Sequence, residues 1–289
     1  MKRLLLAGAL VFAMLVPASA VAAPHHPTGE FAQFGDCPLS RATLTACLFS
    51  ESSAGSFTIG KKTVPIKNPV VLQGGLEWNE SILEELPLIA AEDGNTLVKT
   101  PQPVPGGLLG IQAPSWWPSL LRELFNETIN NGFTGVNATV EIAGSASSVK
   151  LNALNLLLGT GTALALPAKI HLENPFLGSS CYIGSNSNPV ALNFTTGTTS
   201  PPPPNTPITG SPGTASENAT GTLVTFSGGR LVNNSYAAPG ANGCGGLFSF
   251  LVDPFVNSIV GVPSPAGTNT AILEGVIKVA EPAAVRASE

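Results

Sequence analysis

Short runs of alternating side chains, each closed by glycine, proline or asparagine, constrain this fold more than any other feature. Ser56–Gly60 and Thr63–Ile66 flank a Gly-Lys-Lys turn, and Pro69–Leu72 follows. Thr139–Ala143, Val190–Phe194, Gly221–Phe226 and Ala271–Val279 read the same way. Thr162–Leu166 and Ala168–Leu172 are predicted as two strands split by Pro167, with Lys169 and His171 on one face of the second. Asp93-Gly94 and Gly228-Gly229 supply the positive φ that hairpin turns need. Many short strands with frequent turns predict a mainly β fold, an antiparallel sandwich or barrel-like domain. Charged residues make up only 11%, too few Lys and Glu to cover the outer faces of a helical bundle.

One or two short helices are expected beside the strands. Pro118–Asn130 places Leu121, Leu124, Phe125 and Ile129 on one face, with Ser115 as a candidate N-cap. Gly246–Val260 is apolar all round and interrupted by Pro254, which predicts a buried helical turn or two or an irregular crossover. Gly106-Gly107-Leu108-Leu109 and Gly245-Gly246-Leu247-Phe248 each begin an apolar stretch that leads to a Gly-x-Asn string, at Gly135 and Gly267, the pattern an internal duplication would leave.

The amino end has the three parts of a secretory signal peptide. Lys2-Arg3 precede an apolar run from Leu4 to Val16, then small residues, with cleavage expected after Ala20 or Ala22. The run is too short to span a membrane, so residues 1–22 are expected to be removed and the rest secreted, extracellular and free of membrane insertion. Outside the cell thiols oxidise, and the four cysteines are expected to pair. Sequence proximity favours Cys37–Cys47, leaving Cys181–Cys244. The second link would enclose the proline-rich tract at 200–213, making it a spacer or exposed loop within one disulfide-stapled domain over 23–289.

Several chemistries are argued against. Of 13 basic residues, Lys2 and Arg3 leave with the leader, so 11 face 18 acidic ones, a net charge near −7. That disfavours nucleic acid and anionic membranes; only Lys61-Lys62, with Lys67 nearby, approach a cluster. Three histidines are present: His25 and His26 in what reads as a flexible leader, and His171. A triad would need His171 with Asp93 or Asp253 and a serine, yet no Gly-x-Ser-x-Gly elbow occurs. No His-Glu-x-x-His and no Cys-x-x-Cys occurs, and no cofactor or metal is expected. Copper capture by the new amino end fails after cleavage at Ala22, because Pro24 has no N–H to lose. The best candidates for ligand contact are Glu77 and Glu80 with the tryptophans Trp78, Trp116 and Trp117, an acid-and-aromatic set suited to sugars.

The Ala-rich leader end, Phe34-Gly-Asp-Cys-Pro38, and Ser180-Cys-Tyr-Ile-Gly-Ser185 followed by the proline-rich tract together resemble uncharacterised secreted proteins of high-GC Gram-positive bacteria. The resemblance covers most of the mature chain and implies no activity. The expectation is a non-enzymatic secreted or cell-envelope-associated protein with a structural or binding role, its partner a glycan, the envelope or a protein. The alternatives are a hydrolase of glycans or esters and a carrier of apolar small ligands.

Overall fold

The computed structural model describes residues 25–77, 86–130 and 134–289, with only the backbone of Ile129 and Asn130. The predicted leader, Trp78 and Glu80 lie outside the described residues. Fourteen strands appear among them: β1 Ala46–Ile59, β2 Lys62–Pro65, β3 Val70–Leu76, β4 Leu86–Ile89, β5 Gln102–Pro103, β6 Asn137–Ile142 and β7 Lys150–Leu151. The rest are β8 Leu164–Glu173, β9 Tyr182–Ile183, β10 Val190–Phe194, β11 Thr214–Glu217, β12 Leu223–Asn233, β13 Ala241–Asn242 and β14 Thr270–Ala280. Four helices accompany them: α1 Ser119–Asn130, α2 Ala153–Leu158, α3 Ser249–Val260 and α4 Pro282–Ala287.

The strands build a sandwich-like, wholly antiparallel pair of layers. One layer runs β11-β12-β14-β1-β3-β4, with the hairpin strand β2 on β1. β4 passes the ladder to β7 and so to the second layer, whose hub is β8. Along one edge β8 pairs first β7 and then β6; along the other it pairs β10 and then β9. Leu164, Leu166, Ala168, Ile170 and Leu172 of β8 all face inward and are buried. They meet Leu48, Leu72, Leu76 and Ile277 of the first layer in one core, completed by Leu192 and the fully buried Phe194. A smaller cluster packs Phe31, Phe34, Leu39 and Val285 around the Cys37–Cys47 disulfide. Cys181 bonds Cys244, and no described cysteine is free.

The structure corrects several local expectations. Pro167 does not split β8: its carbonyl accepts from Ala143 N–H at 2.8 Å, just where β6 has ended, so no ladder bond needs the nitrogen's missing hydrogen. Gly228-Gly229 is no hairpin turn but a bulge inside β12, where the register to β14 slips between Ser227 and Gly229. Ser115 lies outside α1, which begins four residues later. The proline-rich tract is pinned to the body: Asn205 donates to the carbonyls of Asn234 and Asn269, and Thr198 and Ser211 bridge to Thr209 and Arg230. His25 is not in a free leader either, since its Nδ1 meets Glu289 at 2.6 Å and its N–H bonds Gly35.

Candidate functional site

α3 is held by polar contacts at both ends. Gly245 takes the left-handed conformation (φ 74°) and donates to the Leu177 carbonyl at 2.7 Å, beside the Cys181–Cys244 link. The Asp253 carboxylate accepts the Cys244 N–H, and Asn257 Oδ1 accepts the Ala241 N–H, at 2.8 and 2.7 Å. At the other end Lys61, in the β1–β2 hairpin, donates to the Ser258 carbonyl in the last helical turn. Val252, Val256 and Val260 pack onto the core. A helix apolar all round is ordinarily enclosed. Here the opposite side stays open: Leu247 is 94% exposed, and Phe248, Phe250, Leu251 and Phe255 are each at least half exposed. The prediction of a buried apolar segment is therefore corrected. Phe176, in the loop that Gly245 bonds, is also exposed and extends the surface.

α1 presents a second open apolar surface. Side chains fix it over short range: Asn126 Oδ1 accepts the Ala113 N–H, Arg122 donates to the Ser115 carbonyl, and Trp117 meets Phe125 edge-on at 5.5 Å. Leu121 and Leu124, read from the sequence as part of one apolar face, are exposed, as is Leu120, and Trp116 is 80% exposed. The segment leading into α1 touches the foot of α3: Gly107 and Leu108 line a void of about 40 Å³ together with Val256, Ile259 and Val260.

Lys62 lies under this face. Its side chain lines the 40 Å³ void and a second one of about 60 Å³, and both also touch Val104, Leu172 and Val260. Burial in these apolar surroundings pushes its pKa below the ordinary lysine value of 10.5. No acidic group among the described residues pairs with it.

On the outer side of the second layer a charged cluster surrounds His171. Its ring stacks on Tyr182 at 4.6 Å, and its Nδ1 lies 3.5 Å from Glu173 and 3.9 Å from Glu141. Glu141 also draws Lys99 and Lys169, at 3.4 and 3.7 Å. Burial, first, and then the neighbouring Glu141 push the Tyr182 pKa up. His171 Nε2 and its cross-strand neighbour Thr139 Oγ1 are buried without a partner among the described residues. Thr139 is 2% exposed, so no substrate carbonyl reaches this would-be nucleophile–base–acid set. Neither Asp93 nor Asp253 joins His171: Asp93 bonds Asn95, and Asp253 bonds the Cys244 N–H.

Of the predicted ligand contacts, Trp116 and Trp117 stand together, 6.1 Å apart, on the α1 side of the apolar face. Glu77 is exposed at the end of β3, among neither of these groups. The residues missed were Leu247, Phe248, Phe250, Leu251 and Phe255, whose all-round apolar pattern signals burial as readily as docking. A separate apolar cleft of about 450 Å³ lies between α2 and the first layer, lined by Leu76, Leu156, Leu157, Phe226 and Ile277. Comparisons with protein-family models, with curated proteins and with solved structures find no match to this chain.

Proposed function

We propose that the chain is an exported, non-enzymatic, envelope-associated binding protein that rests its apolar helical face on a lipid surface of low charge. The observation that carries this reading is the outward side of α3 and the turn before it, where leucines and phenylalanines stand open while Asp253, the one charged residue between Leu247 and Val260, accepts the Cys244 N–H. Burying each such side chain is worth roughly 1.5–3 kcal/mol. Six of them, counting Phe176, offset an association cost of about 4–15 kcal/mol. Aromatic and leucine side chains on short helices suit the boundary between headgroups and acyl chains. The acidic balance of the chain favours neutral over anionic lipid. Among the described residues no helix is long and apolar enough to cross a membrane. The walled-in position of His171 supports the non-enzymatic part.

Co-sedimentation with phosphatidylcholine vesicles tests the reading. The wild type is expected to pellet with the vesicles, and a Leu247→Ser/Leu251→Ser/Phe255→Ser variant to stay in solution with its melting temperature unchanged. Wild-type protein left in the supernatant overturns the reading. A concentration-dependent dimer that the same variant abolishes would make the face an interface between copies instead. The 450 Å³ cleft favours a second reading, an apolar-ligand carrier. Uptake of a soluble apolar probe without vesicle binding would select it.

A further inference from the structure

A polar cup of about 240 Å³ opens where β10 runs out beside the end of β12. Thr195 and Val232 bridge there, each N–H bonding the other's carbonyl, at 3.0 and 2.9 Å. Asn193, Thr198, Ser200, Asn233, Ser235 and Tyr236 line the cup, and Gly159 and Gly161, just after α2, leave one wall without side chains. No charged residue is among the described residues that line it. Asn193, Thr198, Ser200 and Ser235 are exposed around the mouth, whereas Asn233 and Tyr236, each 4% exposed, form the floor.

Asn233 is the member that protein contacts leave unfinished. Its Oδ1 accepts the Ser235 N–H at 2.9 Å, which fixes the amide and identifies the other end as Nδ2. Nδ2 donates to no group among the described residues, yet protein does not seal it in, so its N–H pair opens on the cup. A donor this deep is engaged by whatever fills the space in front of it. The Tyr236 hydroxyl already donates to the Thr58 carbonyl at 2.9 Å, so this side chain offers the cup ring carbon and no donor. The mouth is held in place. The Thr198 and Thr209 hydroxyls meet at 2.9 Å, and the Thr199 N–H donates to the Ile208 carbonyl at 2.9 Å. The proline-rich tract that begins at Ser200 is thereby tied down on both sides, and binding has little left to order.

We propose that this cup is a binding site for one ring of a neutral sugar. Its volume equals that of about eight waters at ~30 Å³ each, which suits a single pyranose and not a longer ligand. Hydroxyls and amides around the mouth both donate and accept, as sugar hydroxyls do. Asn233 Nδ2 donates to a sugar oxygen, and the C–H face of the ring lies against the carbon of Tyr236. A carboxylate or phosphate meets no cation in the lining, and an ammonium meets no carboxylate, so either charge would be desolvated without compensation. The inference is independent of the apolar face, because no residue of α3 lines the cup.

Saturation-transfer NMR on the full chain tests the site, with the methyl glycosides of glucose, galactose, mannose and N-acetylglucosamine as probes. At least one is expected to bind with a Kd of about 1 mM, ordinary for a ligand of this size. Saturation should be strongest on the C–H groups of one ring face. Glucuronate and glucosamine, which add a charge of either sign, are expected to bind about tenfold more weakly. Asn233→Asp keeps the acceptor for Ser235 and removes the donor, and it should weaken binding about tenfold. Asn193→Ala, on the exposed mouth, should weaken it about threefold with the melting temperature unchanged. Ser216→Ala, on the exposed β11, should leave it intact. Binding of none of the four glycosides at about 20 mM overturns the proposal. So does binding that survives both Asn233→Asp and Asn193→Ala, or a charged sugar held as tightly as the neutral ones.

Discussion

Asp36 sits between the buried Phe34 and Cys37, where the loop brings it toward Asp93. Partial burial, first, and then the charge of Asp93 raise its pKa above the ordinary 3.8, while the hydrogen bond from Gln73 Nε2, at 3.1 Å, pulls the other way. A carboxyl with a raised folded-state pKa binds protons more readily folded than unfolded. Its contribution to stability is therefore full below 3.8 and lost as pH rises through the folded value. Asp36→Asn is expected to raise the melting temperature at pH 7 by about 1–3 °C. The gain should vanish near pH 3, where wild-type Asp36 is protonated in both states; melts at the two pH values check it. Little of this could be read beforehand. Asp36 stands out in Phe34-Gly-Asp-Cys-Pro38, but nothing local says that Asp93 faces it. The same holds for Lys62, visible only as part of a loose basic group until the hairpin separates it from Lys61.

The bend of the first layer runs along one line through three strands. β1 slips register between Ser52 and Ala54, opposite Gly275 and Glu274 of β14, and β12 slips between Ser227 and Gly229, opposite Val276 and Gly275, so the two slips share Gly275. Two bulges flanking one strand at one level increase twist and curl the layer over the second. Gly275 permits it by contact and not by φ: a Cβ there would lie 1.8 Å from the Glu51 carbonyl oxygen and 2.8 Å from Ser52 Cα. Backbone on that side cannot yield as a side chain would, so Gly275→Ala is expected to cost about 2–3 kcal/mol in urea unfolding. Gly228, by contrast, has φ +69° and open space around it, and Gly228→Ala should cost only about 1 kcal/mol of backbone strain. A Gly275→Ala loss no larger than that of Gly228→Ala would show that the approach is not tight. Val190–Phe194 and the Ala168–Leu172 end of β8 were legible because alternation marks a face directly. The Ala46–Ser52 half of β1 was not, because Ser50-Glu51-Ser52 reads as turn while Leu48 beside it enters the core. α3 was misread for a related reason: periodicity tells which residues share a face, never what covers that face.

At the scale of the molecule, one core spans both layers, so the sandwich should unfold in a single transition, with the Phe31–Phe34 cluster as a satellite. The two disulfides act on these parts differently. Cys181–Cys244 closes 63 residues, including the proline-rich tract and most of β12's surroundings, and Cys37–Cys47 closes 10. Loop-closure entropy alone makes the first worth about 4 kcal/mol and the second about 3 kcal/mol. The two therefore differ little in total stability but much in where their loss is felt. Cys37→Ser/Cys47→Ser is expected to speed hydrogen exchange around Phe31, Phe34 and α4 while the core strands keep their protection. Cys181→Ser/Cys244→Ser is expected to lower the unfolding free energy by about 4 kcal/mol and also to free the base of α3, whose Gly245 is held to Leu177 next to the missing link. The loop of Phe176 and Leu177 would then hold Gly245 less firmly, and vesicle binding should weaken even under conditions where the core strands remain fully protected. If binding instead tracks the folded fraction alone, the disulfide serves stability only and the helical face needs no such fixing.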